Sequence, residues 1–70
     1  MMPLTFAKVG DVVIIRRITG KDELRQRLAE LGFVVDAEVK VISSSAGNLI
    51  VQVKGSRVAL DSTMACRIFF

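Results

Sequence analysis

The sequence predicts a mainly β fold: a small, strongly bent barrel of about five strands with one α-helix inserted between strands 1 and 2. Three observations carry this expectation. Short segments alternate apolar and polar residues with a period of two, the pattern of strands. A single segment, Lys21 to Leu31, carries apolar residues at helical spacing instead. The chain has only 70 residues, too few for an open two-layer sandwich. Bending the strands into a barrel removes their edges and buries one Val/Ile/Leu face.

The elements follow in order. Pro3 to Lys8 reads as an opening turn, with Thr5 as the cap of a single helical turn. Gly10-Asp11 punctuates, and the first strand runs from Asp11 to Ile18. Val12, Ile14 and Arg16 point one way and Val13, Ile15 and Arg17 the other, so both faces begin apolar and end charged. That pattern predicts cover on both sides at one end only. Thr19-Gly20 breaks the strand.

The helix comes next. Leu24, Leu28 and Leu31 form its apolar stripe and are expected to cover an open end of the barrel. Asp22 and Glu23 suit the positive end of the helix dipole. Glu23 and Arg27 stand four apart in the favourable order for an ion pair. Gly32 is the left-handed stop, and Phe33 can fold back onto the last turn.

Val34 to Ala37 is a connection. The second strand is Glu38 to Ser43, with Val39 and Val41 on one face and Lys40 and Ile42 on the other. Ser44 to Asn48 reads as a hairpin loop. In the third strand Leu49, Val51 and Val53 alternate with Ile50, Gln52 and Lys54. Lys54-Gly55 is a two-residue turn into the fourth strand, Ser56 to Leu60, with Val58 and Leu60 inward. Asp61-Ser62-Thr63 can cap one helical turn through Ala65. Cys66 to Phe69 closes the chain as a fifth strand.

Composition narrows the function classes. Residues 1–70 read as a single domain near the lower size limit for independent folding. At this size roughly 3–5 kcal/mol is the most stability a core supplies. With 51% hydrophobic residues, a dense core is the expected means. Cys66 is the only cysteine, which fits a reducing compartment, and there is no histidine. Mean hydropathy is +0.50, yet Val12 to Ile15 is the longest run of large apolar residues, far short of the ~20 of a spanning helix. The N-terminus lacks the pattern of a signal peptide, so a cytoplasmic protein is expected. Net charge is +3, spread along the chain without a polybasic block.

Catalytic readings fail on inventory. Triads of the Ser-His-Asp or Cys-His kind need histidine. Asp11, Asp36, Glu38 and Asp61 each have a simpler role in a turn or on an exposed strand. No glycine-rich loop precedes a helix as a phosphate cradle. Cys66 has no adjacent base and reads as a buried, inert thiol of the last strand. Neither a cofactor nor a metal site is expected. Binding readings fare better. Gly10 to Ile15, ending at Thr19-Gly20-Lys21, looks like the opening of a KOW-type motif, which keeps a nucleic-acid-binding or regulatory barrel as the alternative. The four phenylalanines, Phe6, Phe33, Phe69 and Phe70, do not interleave with basic residues as a stacking platform would, so nucleic acid is not the expected partner.

A wider resemblance covers nearly the whole chain. Pro3-Leu4-Thr5 with Lys8 and Gly10-Asp11, the segment Arg27-Leu28-Ala29-Glu30-Leu31-Gly32-Phe33, and Gly55-Ser56-Arg57-Val58-Ala59-Leu60 followed by Ala65 and Ile68 together resemble the FeoA family. These are small SH3-like cytosolic proteins of the bacterial ferrous iron transport system. The resemblance implies an SH3-like barrel and a non-catalytic accessory that docks on the membrane ferrous iron transporter, which has a cytosolic GTPase domain. It does not imply iron binding by the chain itself. Transition-metal binding is a family-level association for which this sequence offers no ligand set. Val35-Asp36 replaces a usual Pro-Gly, and aspartate is among the residues that tolerate the positive φ such a turn requires.

The candidate partner-binding residues are Arg25, Arg27 and Glu30 on the polar face of the helix, with Arg57 and Ile50 on the strands. Leu28, Leu31 and Phe33 are expected in the core. Arg57 alternates outward beside outward-facing Ile50 and Gln52, and an arginine next to exposed apolar surface is typical of interface centres. Outward Ile50 also allows weak self-association.

Overall fold

A computed structural model describes residues 1–70. The mainly β, SH3-like architecture with a helix between strands is present, built from six strands. They are β1 (Val12–Ile14), β2 (Arg17–Ile18), β3 (Glu38–Ser45), β4 (Asn48–Val53), β5 (Ser56–Leu60) and β6 (Ile68–Phe69). Helix α1 is Asp22–Glu30, and α2 is the short Ser62–Ala65. A 3-10 turn, Leu4–Phe6, precedes them.

The sixth strand arises because the expected first strand is two. The chain bends at Ile15-Arg16, so β1 and β2 join different sheets. One sheet has the order β1-β3-β4-β5 and the other pairs β2 with β6, all antiparallel. The bend is tied down from both sides. Ile15 N–H donates to Ala37 O at 2.9 Å, and Arg16 N–H to Phe69 O at 2.8 Å. The chain ends meet nearby, where Met2 and Phe70 exchange two backbone hydrogen bonds of 2.8 Å. The barrel is not closed: β1 and β5 remain the outer strands of the larger sheet.

One core of 14 buried apolar residues fills the space between the sheets. The alternation of β4 is the clearest case, with Leu49, Val51 and Val53 buried and Asn48, Ile50 and Gln52 exposed. β1 departs from the expectation of cover on both faces. Val13 is buried, but Val12 is 53% and Ile14 37% exposed, because no element lies over the outward side of the sheet there.

Helix α1 ends as its sequence requires. Phe33 N–H donates to Leu28 O at 2.9 Å and Gly32 N–H to Ala29 O at 3.0 Å, with Gly32 at φ +106°. This is a Schellman end, and its usual apolar contact pairs the residue after the glycine with the helix residue that accepts its N–H. Here those are Phe33 and Leu28, both fully buried. Leu24 packs half-buried against the same core. Leu31, expected there too, is 39% exposed, since it sits at the C-cap beyond the buried stripe.

Local chemistry explains the remaining differences. The hairpin loop is shorter than the expected Ser44 to Asn48: β3 runs on to Ser45, and only Ala46-Gly47 turns. Both residues have positive φ, 53° and 82°, as a two-residue hairpin matched to strand twist demands. Lys54-Gly55 turns in the same way, at 49° and 78°. A β-bulge at Ile42 shifts the β3–β4 register between Val41 and Ser43, leaving Ile42 half-buried and out of the expected row with Lys40. Asp36 adopts the positive φ expected of it, 74°. Thr5 does not cap the first turn; Pro3 occupies that place, without a side-chain bond. Asp61 does cap α2, its Oδ1 accepting from Met64 N–H at 2.8 Å. That turn extends to Cys66, so β6 begins only at Ile68. Cys66 is therefore not a buried strand residue. It is exposed at the C-cap of α2, with Sγ donating to Thr63 O at 3.2 Å.

Candidate functional site

The outward face of the four-stranded sheet collects the strand candidates. In antiparallel pairing, directly opposed residues share a face. Gln52 lies opposite Arg57 on one side and Lys40 on the other, and Lys40 lies opposite Val12. The result is one row across all four strands: Val12, Lys40, Gln52, Arg57. A second row, Ser43, Ile50 and Ala59, runs beside it. Arg57 and Ile50 thus stand on one face, as expected, with Ile50 42% exposed.

Two shallow grooves mark this face. One, of about 390 Å³, is lined by Val12, Glu38, Lys40, Gln52 and Lys54 among others. The second, of about 470 Å³, is lined by Ile50, Ala59, Leu60 and Met64 among others and has more hydrophobic residues in its wall. They are neighbours on one strand, because Gln52 and Ile50 are consecutive outward residues of β4.

Charge is unevenly distributed. The chain has two ion pairs within 4.0 Å: Arg16 Nη1 to Asp36 Oδ1 at 3.7 Å and Arg25 Nη2 to Asp22 Oδ1 at 2.7 Å. Lys40, Lys54 and Arg57 are in neither, and Glu38 is the carboxylate that shares a groove with Lys40 and Lys54.

The helix candidates form a separate set. Arg25 is engaged by Asp22 one turn earlier. The expected Glu23–Arg27 ion pair is absent; those residues flank Leu24 in a small groove of about 240 Å³. Glu30 is exposed at the helix end. Lys54 connects the two regions. It lines the groove of the sheet, and its Cγ and Cδ come within 3.5 Å of a Cβ built on Gly32, just past α1.

Sequence reasoning missed Lys40, Lys54 and Val12 as members of the face. Alternation with Val39 and Val41 marks Lys40 as outward, but only the strand register shows that it shares a row with Arg57. No group of three or more His, Cys, Asp or Glu side chains is placed to hold a metal ion.

Comparison with known proteins gives this geometry a family. The FeoA domain model matches residues 2–70. A protein of Methanocaldococcus jannaschii provisionally named Fe(2+) transport protein A is 37% identical over 68 residues, spanning 97% of this chain and 83% of its own. The crystal structure of an iron uptake regulatory protein, FeoA, superposes with a TM-score of 0.89 at 31% identity, over 96% of this chain and 91% of that one. FeoA of Stenotrophomonas maltophilia, complexed with zinc and described as a prokaryotic SH3 domain protein, gives 0.85 at 28% identity, over 99% of this chain and 88% of that one. A manganese-dependent transcriptional repressor gives 0.86 at 25% identity over 94% of this chain, which corresponds to 38% of the repressor. With the match running from residue 2 to residue 70, the chain belongs to the FeoA family.

Proposed function

We propose that the chain is a non-catalytic accessory protein of ferrous iron uptake that docks, in the cytoplasm, on the GTPase domain of the membrane ferrous iron transporter and modulates its assembly or activity. The observation that carries this reading is the family match over residues 2–70, joined to relatives named for iron transport and iron uptake regulation. The fold supports it. No helix is long and apolar enough to cross a membrane, and the exposed surface offers a sheet face with arginine beside apolar side chains. Such a surface suits recognition of a protein.

The test is capture of the purified GTPase domain by this chain, followed by charge reversal at the candidates. Arg27→Glu and Arg57→Glu are made singly and together with Arg25→Glu. Capture by the native chain, weakened by these variants, is the expected result. No capture by the native chain refutes the docking partner. Full capture by every variant refutes the assigned residues.

A further inference from the structure

We propose that the outward face of the β1-β3-β4-β5 sheet is a docking surface for an acidic segment of a protein partner that carries an apolar side chain beside its carboxylates. Only the partner's identity rests on the transporter reading; the chemistry rests on the face. Lys40 and Arg57 occupy one row two strands apart, roughly 10 Å by the spacing of strands. Neither has a carboxylate within 4.0 Å, and Lys54 adds a third such cation at the end of the groove. Against Lys40 and Lys54 the groove holds one acid, Glu38, and Arg57 stands outside its lining, across Gln52. Positive charge is therefore in excess on the outward face of this sheet.

The apolar requirement comes from the neighbouring row. Ile50 stands between the cation row and the second groove, whose lining includes Ala59 and Met64. A side chain entering there sits beside the cations without displacing them. Gln52, between Lys40 and Arg57, offers an amide that donates or accepts. A segment in the polyproline II conformation advances about 3.1 Å per residue with about three residues per turn, so carboxylates three residues apart lie on one side, about 9 Å from each other, and reach both Lys40 and Arg57.

The probe is a synthetic peptide with Glu at every third position and Leu and Ser between, and its counterpart with Lys replacing each Glu. Each is titrated into the labelled chain, and backbone amide shifts are followed by NMR. The expected result is movement of Val12, Lys40, Gln52 and Arg57 with the acidic peptide only, weakening as salt rises. The double variant Lys40→Glu, Arg57→Glu is expected to bind about ten-fold more weakly or worse, since each exposed pair turns from attraction to repulsion. Arg67→Glu, on the β2–β6 side, keeps affinity within about two-fold by the same reasoning on charges outside the contact. Dispersed spectra show that each variant is folded. Equal response to both peptides, no response, or shifts confined to Asp22–Glu30 overturns the proposal. So does a single-stranded oligonucleotide that moves the same amides at lower concentration than the peptide. The GTPase domain, titrated separately, decides the transporter reading: selective peptide binding with a silent domain refutes that partner and leaves the chemistry of the face standing.

Discussion

Replacing Leu28 with alanine tests how the inserted helix is held to the barrel. Leu28 is the one fully buried residue of α1, and it is both a wall of the core and the carbonyl acceptor of the Schellman bond from Phe33. The backbone bond survives the substitution, so the loss is one of packing. Removing a buried leucine side chain costs about 2–5 kcal/mol, depending on how far the site collapses. Alanine returns only a few tenths through helix propensity. The fully buried Phe33 beside it limits collapse and places the cost in the upper half of that range, about 3–5 kcal/mol. That equals the whole stability expected of a domain this small. The chain has neither tryptophan nor tyrosine, so unfolding is followed by circular dichroism in urea and by amide exchange. With a slope of about 1 kcal/mol per molar, the midpoint falls by at least about 3 M or the variant is unfolded in water. Leu31→Ala, at a position 39% exposed, is the control and is expected to cost under about 1 kcal/mol. If the two variants lose the same stability, or if Leu28→Ala loses less than about 1 kcal/mol, the account of helix anchoring is wrong.

Three further outcomes follow from local chemistry. Ala46→Asn puts the preferred Asn-Gly pair into a turn where both residues have positive φ, and is expected to raise stability by about 0.5–1 kcal/mol in the same urea titration. Asp61→Ala removes the bond to Met64 N–H and is expected to cost about 0.5–2 kcal/mol, with faster amide exchange at Met64. Cys66 is expected to react stoichiometrically with a thiol reagent without denaturant, because its side chain is exposed in the folded chain; labelling that requires urea contradicts its placement.

Much of the fold was legible because short elements in this chain carry their own signals. The end of α1 is an example: Leu28, Gly32 and Phe33 sit at the offsets a Schellman end requires, and each does what its spacing implies. The Lys54-Gly55 turn is another. Less legible were properties set by distant parts of the chain. Apolar residues on both faces of β1 looked like cover on both sides, yet nothing covers Val12 and Ile14. Leu31 keeps helical spacing with Leu24 and Leu28, but the helix ends before its face turns inward. Cys66 followed an apolar segment and read as strand, while the Asp61 cap holds that stretch in a helical turn. For the candidate site, sequence alternation identified Arg57 and Ile50 as outward. It could not supply the register that adds Lys40 and Val12, because pairing across strands is decided by long-range contacts.

The bulge at Ile42 links these two kinds of information. Val39, Lys40, Val41, Ile42 is a break in alternation, since two successive residues are apolar where a regular strand would expose the second. In regular pairing Ile42 would stand outward, opposite Ile50, and the exposed face would carry two isoleucines side by side. The extra residue instead brings Ser43 opposite Ile50 and leaves Ile42 half-buried. A bulge also bends its strand and increases local twist, which helps an eight-residue β3 curve with the sheet. The same irregularity therefore serves the fold by curvature and limits the sticky area of an uncovered face. What remains on that face is Ile50 next to Lys40 and Arg57, with Val12 and Ile14 exposed apart from it on the edge strand β1. A surface so composed discourages indiscriminate apolar association and favours a partner that brings negative charge, which is why the cation row carries more weight in recognition than Ile50 alone.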